Sequence, residues 1–253
     1  MARNETDFTP KARLWDVPVA FVLLTRLPLP SLPDHAFANG ARAVWAYPLV
    51  GLFLGGVAGA VLAFAAILGL PPMIAAGLML GVLVLFTGAM HEDGLADTAD
   101  GLWGGQDAAR RLEIMKDSRI GAYGVLALIL AMGLRWLGLA EVTWTGLITA
   151  CVVSRAAMVP LMRILPHARD TGLAHHVGRP GVAPVCIALV IATLCAVIGS
   201  GGAGVMALFV AGGVTVGMGA LAKAKIGGQT GDILGATQII AEIAVLLILV
   251  AIT

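Results

Sequence analysis

Seven runs of about 20 apolar residues, near 44–68, 72–90, 121–140, 143–162, 182–200, 203–222 and 233–252, leave this chain few folds to choose from. A helix needs about 20 mostly apolar residues to cross a bilayer. The expectation is an all-α, polytopic membrane bundle of about seven transmembrane helices. It forms one membrane-embedded domain over 1–253, with 1–43 as an arm and 44–253 as the bundle. Composition agrees: 59% of residues are hydrophobic, 12% are charged, and the mean hydropathy is +0.94.

The connections alternate in charge. Gly69 to Pro72, Glu141 to Thr143 and residues 199–204 carry no Lys or Arg, whereas 91–120, 163–181 and 223–232 carry many. With the arm included, every Lys and Arg except Arg135 and Arg155 falls on one side. The positive-inside rule makes that side cytoplasmic, which puts the N-terminus in and the C-terminus out. Residues 15–27, WDVPVAFVLLTRL, are too short to span and contain Asp16 and Pro18. They are expected to form an interfacial or re-entrant helix before the Pro-rich connector LPLPSLPD. No small-residue cleavage pattern follows VPVAFVLL, so no removable signal peptide is expected. A net charge of +1 gives no reason to invoke a nucleic acid. Cys151, Cys186 and Cys195 sit in apolar runs without metal-ligand spacing and read as small hydrophobes.

Against this background the stretch HEDGLADTADGLWGG, residues 91–105, stands out at the end of the second run. At about 100° per helical residue, Asp93, Asp97, Asp100, Gly104 and Asp107 share one sector. Like charges placed so closely beside a membrane favour a bound cation, and oxygen-only ligands favour Mg²⁺ or Mn²⁺ over Zn²⁺. A solvated loop helix is the plainer alternative.

Two further stretches lie on the same side. In EIMKDSRIGAYG, Lys116, Asp117 and Arg119 precede a span that opens with glycines, a start whose free N–H groups would suit a phosphate. The alternative is an ordinary basic flank. In KAKIGGQTGDILGATQIIAE, Gly227, Gly228 and Gly231 surround Thr230 and Asp232. There the backbone could approach a phosphate and Asp232 could complete a metal site. Gln238 and Glu242 lie deeper on one helical face, and Glu242 is either functional or paired with Arg135 or Arg155. Residues 163–179 add Arg163, His167, Arg169, His175, His176 and Arg179. Adjacent histidines point in different directions on a helix, which disfavours zinc. Arg155, inside a span, is expected to meet a carboxylate or an anionic ligand.

Clustered carboxylates, glycine turns and arginines at one membrane face suit Mg²⁺-assisted displacement at a phosphoryl or pyrophosphate group. A CDP-activated phospholipid synthase would share this logic, but the CDP-alcohol phosphotransferase pattern is matched only at Asp93 and Gly94. A divalent-cation transporter should carry acidic residues along its spans, and here only Arg135, Arg155 and Glu242 lie inside.

Taken together and in order, HEDGLADTADGLWGG, MKDSRIGAYG and GGQTGD resemble the cobalamin synthase family, adenosylcobinamide-GDP ribazoletransferase, whose hallmark is a DGLADTxDG stretch. The resemblance covers most of the chain, with TRLPLP in the arm, SR in a span and an ARxxGLA-like loop. It implies that α-ribazole or its 5'-phosphate is joined to adenosylcobinamide-GDP, releasing GMP, at the cytoplasmic face of a bacterial inner membrane. In that reading Asp93, Asp97, Asp100 and Asp232 hold Mg²⁺, with Glu92 and Glu242 as further candidates. Lys116, Arg119, Arg155 and Arg169, with Gly228 and Thr230, meet the substrates, and Asp97 or Asp100 is the base. Membrane lipid is an expected neighbour, and both a monomer and a homo-oligomer stay open.

Overall fold

The computed structural model describes residues 14–252. The start of the arm, with Arg3, Lys11 and Arg13, lies outside the described residues. Those described form eleven α-helices and a 3₁₀ segment, Gly40–Ala46. In chain order they are α1 (Asp16–Leu24), α2 (Asp34–Phe37), α3 (Tyr47–Ile67), α4 (Pro72–Thr87), α5 (Met90–Gly104) and α6 (Ala108–Ile114). Then come α7 (Ala122–Glu141), α8 (Trp144–Ile164), α9 (Leu173–Val177), α10 (Val182–Ile226) and α11 (Gly231–Ile252).

Five elements are long and apolar enough to cross a membrane, and α4 with α5 makes a sixth that is bent by 86°. One of the five, α10, has 45 residues and would be about 67 Å long if straight, twice what a bilayer needs. It is not straight. Gly201 leaves the helical region at φ 55°, and a side chain on Gly204 would strike the Ala196 carbonyl, so the chain doubles back. The residues flanking both ends of α10 accordingly meet the end of α8 and the segment just after it: Arg163 donates to the Pro180 carbonyl at 3.2 Å, and the Gln229 N–H donates to the Pro166 carbonyl at 2.8 Å. Two antiparallel limbs reconcile six membrane elements with seven apolar runs.

Helices α8 and α11 form the centre, being 78% and 67% buried over their apolar windows, against 22–39% for the other unbroken candidates. Helix α3 approaches α8 through Gly51, Gly55 and Gly59, whose missing side chains would collide with Cys151, Ile148 and Trp144. Glycines four residues apart lie on one helical face, and dispersion between closely approached backbones holds such contacts in lipid. Phe64, Ile129, Ile198 and Phe209 point outward and are exposed, as a lipid-facing surface requires.

Helix α1 is the expected short N-terminal element. Its nine residues pack against the 3₁₀ segment and α3, and Asp16 is held by Arg42 at 2.8 Å and by the Trp45 indole N–H at 3.0 Å.

The second apolar run departs from expectation. It does not continue to residue 90: α4 ends at Thr87 after 16 residues, about 24 Å and short of a bilayer core. Gly88 (φ 62°) and Ala89 (φ 56°) then turn the chain in the left-handed region. Ala89 costs about 1–2 kcal/mol there, since its Cβ crowds the carbonyl. The arm closes the break. The Arg26 N–H donates to the Phe86 carbonyl at 2.7 Å, and the Arg26 side chain lies where a side chain on Gly88 would go.

Candidate active site

The acidic helix α5 is therefore the second limb of a sharply bent pair, a broken span or a re-entrant loop. It crosses α11 at two glycines: a Cβ on Gly94 would lie 3.0 Å from the Asp232 carbonyl oxygen, and one on Gly235 would lie 3.3 Å from the His91 Cα. This close crossing brings Asp93 of α5 and Asp232 of α11 to one cavity of about 160 Å³, with Arg169 and His91 in the same wall. Leu23 and Leu24 of α1, Met158 and Met162 of α8, and Ala174 of α9 complete it. Asp97, half-buried one turn along α5, senses the charges of Asp93, Asp232, Asp100 and Arg169.

The turn before α11 takes its shape from backbone pairing. Gln229 and Ala168 exchange hydrogen bonds with the opposing strand: the Gln229 N–H reaches Pro166 O at 2.8 Å and the Ala168 N–H reaches Gln229 O at 3.0 Å. Gly228 is needed because a Cβ would strike the Pro166 carbonyl, so its close approach is to this chain's own backbone and not to a phosphate. Gln229 also bonds His167 Nδ1 at 2.9 Å, and burial, with His175 and Arg179 nearby, lowers the His167 pKa. Thr230 is buried, and its hydroxyl contacts Asp232 at 3.2 Å and the Ile233 N–H at 3.3 Å, capping α11. The same pairing presents Arg169, whose Nη2 donates to Asp232 at 2.8 Å while Nη1 is buried without a partner.

Asp100 has a different task from its neighbours. Its two oxygens accept the Gly121 and Gly124 N–H groups at 2.7 and 2.9 Å, which caps α7. Side chains on Gly121 or Gly124 would collide with that carboxylate. The free helix start read as a phosphate site is thus occupied by Asp100. Asp107 also leaves the acidic face, because α5 ends at Gly104; it caps α6 through the Arg110 N–H at 2.9 Å. Lys116 is exposed. Arg119, 87% exposed, forms a two-pronged pair with Asp117, whose pKa its hydrogen bonds lower to about 2.

Glu92, Glu242 and Arg155 belong to the core. Arg135 of α7 donates to Glu92 at 2.6 Å and to Glu242 at 2.9 Å, tying α5 to α11. Gln238 donates to Glu242 at 2.7 Å and to Ser154 at 3.1 Å. Arg155 donates to the Cys151 carbonyl at 2.9 Å and stands 3.8 Å from Glu242. Two carboxylates against two guanidiniums make this network neutral, so pairing accounts for Glu242. The sequence reading overlooked His91. It is 2% exposed and makes no hydrogen bond through either ring nitrogen, and its only signal was adjacency to the acidic stretch.

Among the described residues, Asp93, Asp97 and Asp232 face one cation, Arg169, and neither Asp93 nor Asp97 has a hydrogen bond or ion pair there. Among the described residues no three His, Cys, Asp or Glu side chains converge to hold a metal ion. Asp93 and Asp232, which line the cavity, and Asp97 beside them offer oxygen donors of the kind that hold Mg²⁺ together with waters and substrate phosphates.

Residues 16–250 match the family model described as cobalamin-5-phosphate synthase. The chain is 44% identical over 245 residues to an adenosylcobinamide-GDP ribazoletransferase of Bradyrhizobium diazoefficiens, covering 93% of each chain. It is 41% identical to the protein of that name from Mesorhizobium japonicum, with 95% of this chain and 94% of the other covered. For the one from Azorhizobium caulinodans the identity is 44%, over 92% of this chain and 94% of that one. No solved structure matches the chain.

Proposed function

The chain belongs to the cobalamin-5-phosphate synthase family, and from that premise we propose that it joins α-ribazole, or its 5'-phosphate, to adenosylcobinamide-GDP and releases GMP. The observation that carries the mechanism is the charge arrangement at the cavity: Arg169, paired with Asp232 and with one buried nitrogen unpartnered, stands near Asp93 and Asp97, which have no ion pair among the described residues. Such a set accepts a pyrophosphate with a cation.

In the reaction a ribose hydroxyl attacks the phosphorus that bears cobinamide, a P–O bond forms, and the anhydride bond to GMP breaks. Mg²⁺ held by Asp93 and Asp232 would supply positive charge against the pyrophosphate oxygens. Arg169 donates its free Nη1–H to a phosphate oxygen while Asp232 fixes its plane. Asp97 takes the proton of the attacking hydroxyl. Asp100 is a poorer base, because both of its oxygens already accept backbone N–H groups.

Arg169→Lys and Arg119→Lys separate the two arginines. Lysine cannot bridge Asp232 and a phosphate in one plane, so Arg169→Lys is expected to lower kcat/KM about a hundredfold, by loss of one charge-stabilising donor. Arg119, exposed and paired locally, should tolerate the change within about threefold. GMP release by both variants measured side by side checks this, and the reverse order would move the phosphate site to Arg119.

The Lys- and Arg-rich end of the bundle faces the cytoplasm of a bacterial inner membrane. With the native cysteines replaced, Gln106→Cys and Asp170→Cys are expected to react with an impermeant thiol reagent only from the cytoplasmic side, and Gly202→Cys only from outside. All three positions are exposed. Labelling of Gln106→Cys from outside would reverse the orientation.

A further inference from the structure

We propose that the cavity between α1, α5, α8, α9 and α11 is the seat of the aromatic base of the ribazole, with the ribose emerging at its carboxylate-bearing mouth. This rests on the ribazoletransferase reading and assigns one substrate to one part of the site.

Size restricts the occupant first. About 160 Å³ is well below the roughly 300–1,000 Å³ of a pocket that takes a drug-sized ligand whole, and a corrinoid is larger still. A single bicyclic ring system fits that space. The wall then chooses among the bicyclic bases in the reaction, the dimethylbenzimidazole of ribazole and the guanine and adenine of the donor. Leu24, Met90, Met158, Met162, Val177 and Leu234 are among the apolar side chains that line it. Away from the charged mouth, its polar side chains among the described residues are His91 and Tyr47, and neither has a hydrogen-bond partner there. Guanine carries an exocyclic amine, a carbonyl and several ring nitrogens, which such a wall would strip of water and leave mostly unpaired. Adenine, with its exocyclic amine and ring nitrogens, meets the same objection. Dimethylbenzimidazole, once attached to ribose, has one free ring nitrogen and two methyl groups. One donor satisfies the nitrogen, and leucine and methionine side chains cover the rest. The thioethers add favourable contacts with an aromatic ring.

Orientation follows from the mouth. Asp93 is exposed there and Asp97 lies one turn further along the same helix, so a ribose held by a buried base presents its hydroxyls to the carboxylates that the reaction requires. The arrangement also gives α1 a purpose. Leu23 and Leu24 close one side of the cavity, so the short N-terminal helix acts as a wall of the acceptor site.

Ala174, buried in α9 and lining the cavity, is the position to fill. Ala174→Phe is expected to raise KM for α-ribazole at least about tenfold and to leave KM for adenosylcobinamide-GDP within about twofold. Binding of α-ribazole alone to the detergent-purified protein should weaken in parallel. A selective rise in KM for adenosylcobinamide-GDP would place guanine or the corrinoid in the cavity and overturn the assignment, as would unchanged constants for both. Should Ala174→Phe not fold, the wild type decides. Ribosides of benzimidazole, dimethylbenzimidazole and a tricyclic imidazole should bind best at the middle size, and equal binding of all three would refute a closed seat. Failure of the parent reading looks different: wild-type protein with both substrates and Mg²⁺ would release no GMP, whatever α-ribazole binding shows.

Discussion

Asp97→Asn is expected to lower GMP release by about a thousandfold, as removal of a general base does, without lowering the thermal midpoint of the detergent-solubilised protein. The two halves of this result have one cause. Asp97 is half-buried and, among the described residues, makes no hydrogen bond or ion pair and sits among Asp93, Asp100 and Asp232 with Arg169 alone to offset them. Asparagine keeps the shape, removes the proton acceptor and relieves repulsion between like charges. Stability should therefore hold or rise while activity disappears, the trade expected where function requires an arrangement the fold alone would not choose. Chelation should likewise stop turnover, with Mg²⁺ or Mn²⁺ restoring it better than the larger Ca²⁺. GMP release and thermal unfolding measured on one preparation test both halves. Activity within about tenfold of wild type would remove Asp97 from the proton-transfer step.

Arg135→Met should do the opposite, acting on the fold first. Arg135 neutralises Glu92 and Glu242, which are buried on two different helices, and its loss leaves the core network one negative charge in excess. An uncompensated buried charge typically costs about 3–5 kcal/mol. The variant is therefore expected to express poorly or unfold well below the wild type. Adding Glu92→Gln returns the network to neutrality, because Glu242 keeps Arg155 at 3.8 Å and Gln238 at 2.7 Å. Most of the lost stability should come back in the double variant. If the two changes were simply additive, no coupling through Arg135 would exist. Activity should recover less than stability does, since Glu92 also anchors the helix start that presents Asp93.

The membrane-crossing segments were legible because burial in lipid requires a long apolar run, and hydropathy records length directly. The break after Thr87 was not. Gly88 and Ala89 continue the apolar pattern, and nothing local says that the chain turns by 86° and that Arg26, distant in sequence, supplies the donor for Phe86. The acidic helix was thus singled out by its carboxylates and placed at the end of the second span, whereas it forms the second limb of a sharply bent pair. Helical spacing correctly placed Asp93, Asp97 and Asp100 on one face, yet it carried Asp107 along past the end of α5.

The glycines show the same division. A glycine in sequence states only that no side chain is present, and the partner that needs the space is set by packing. Gly121 and Gly124 make room for Asp100 and Gly228 for Pro166, although each lies in a stretch that reads as suited to phosphate, and Gly94, in the acidic stretch, makes room for α11. Amino-acid order by itself determined that the chain enters a membrane, which end carries the positive charge, and which residues have acid–base and metal chemistry to offer. Only the tertiary structure decided which of them act together. Asp232 meets Arg169 across 63 positions and Glu92 meets Arg135 across 43. Pairings over such separations are selected by the cost of burying a charge alone, a quantity that exists only once the helices have packed.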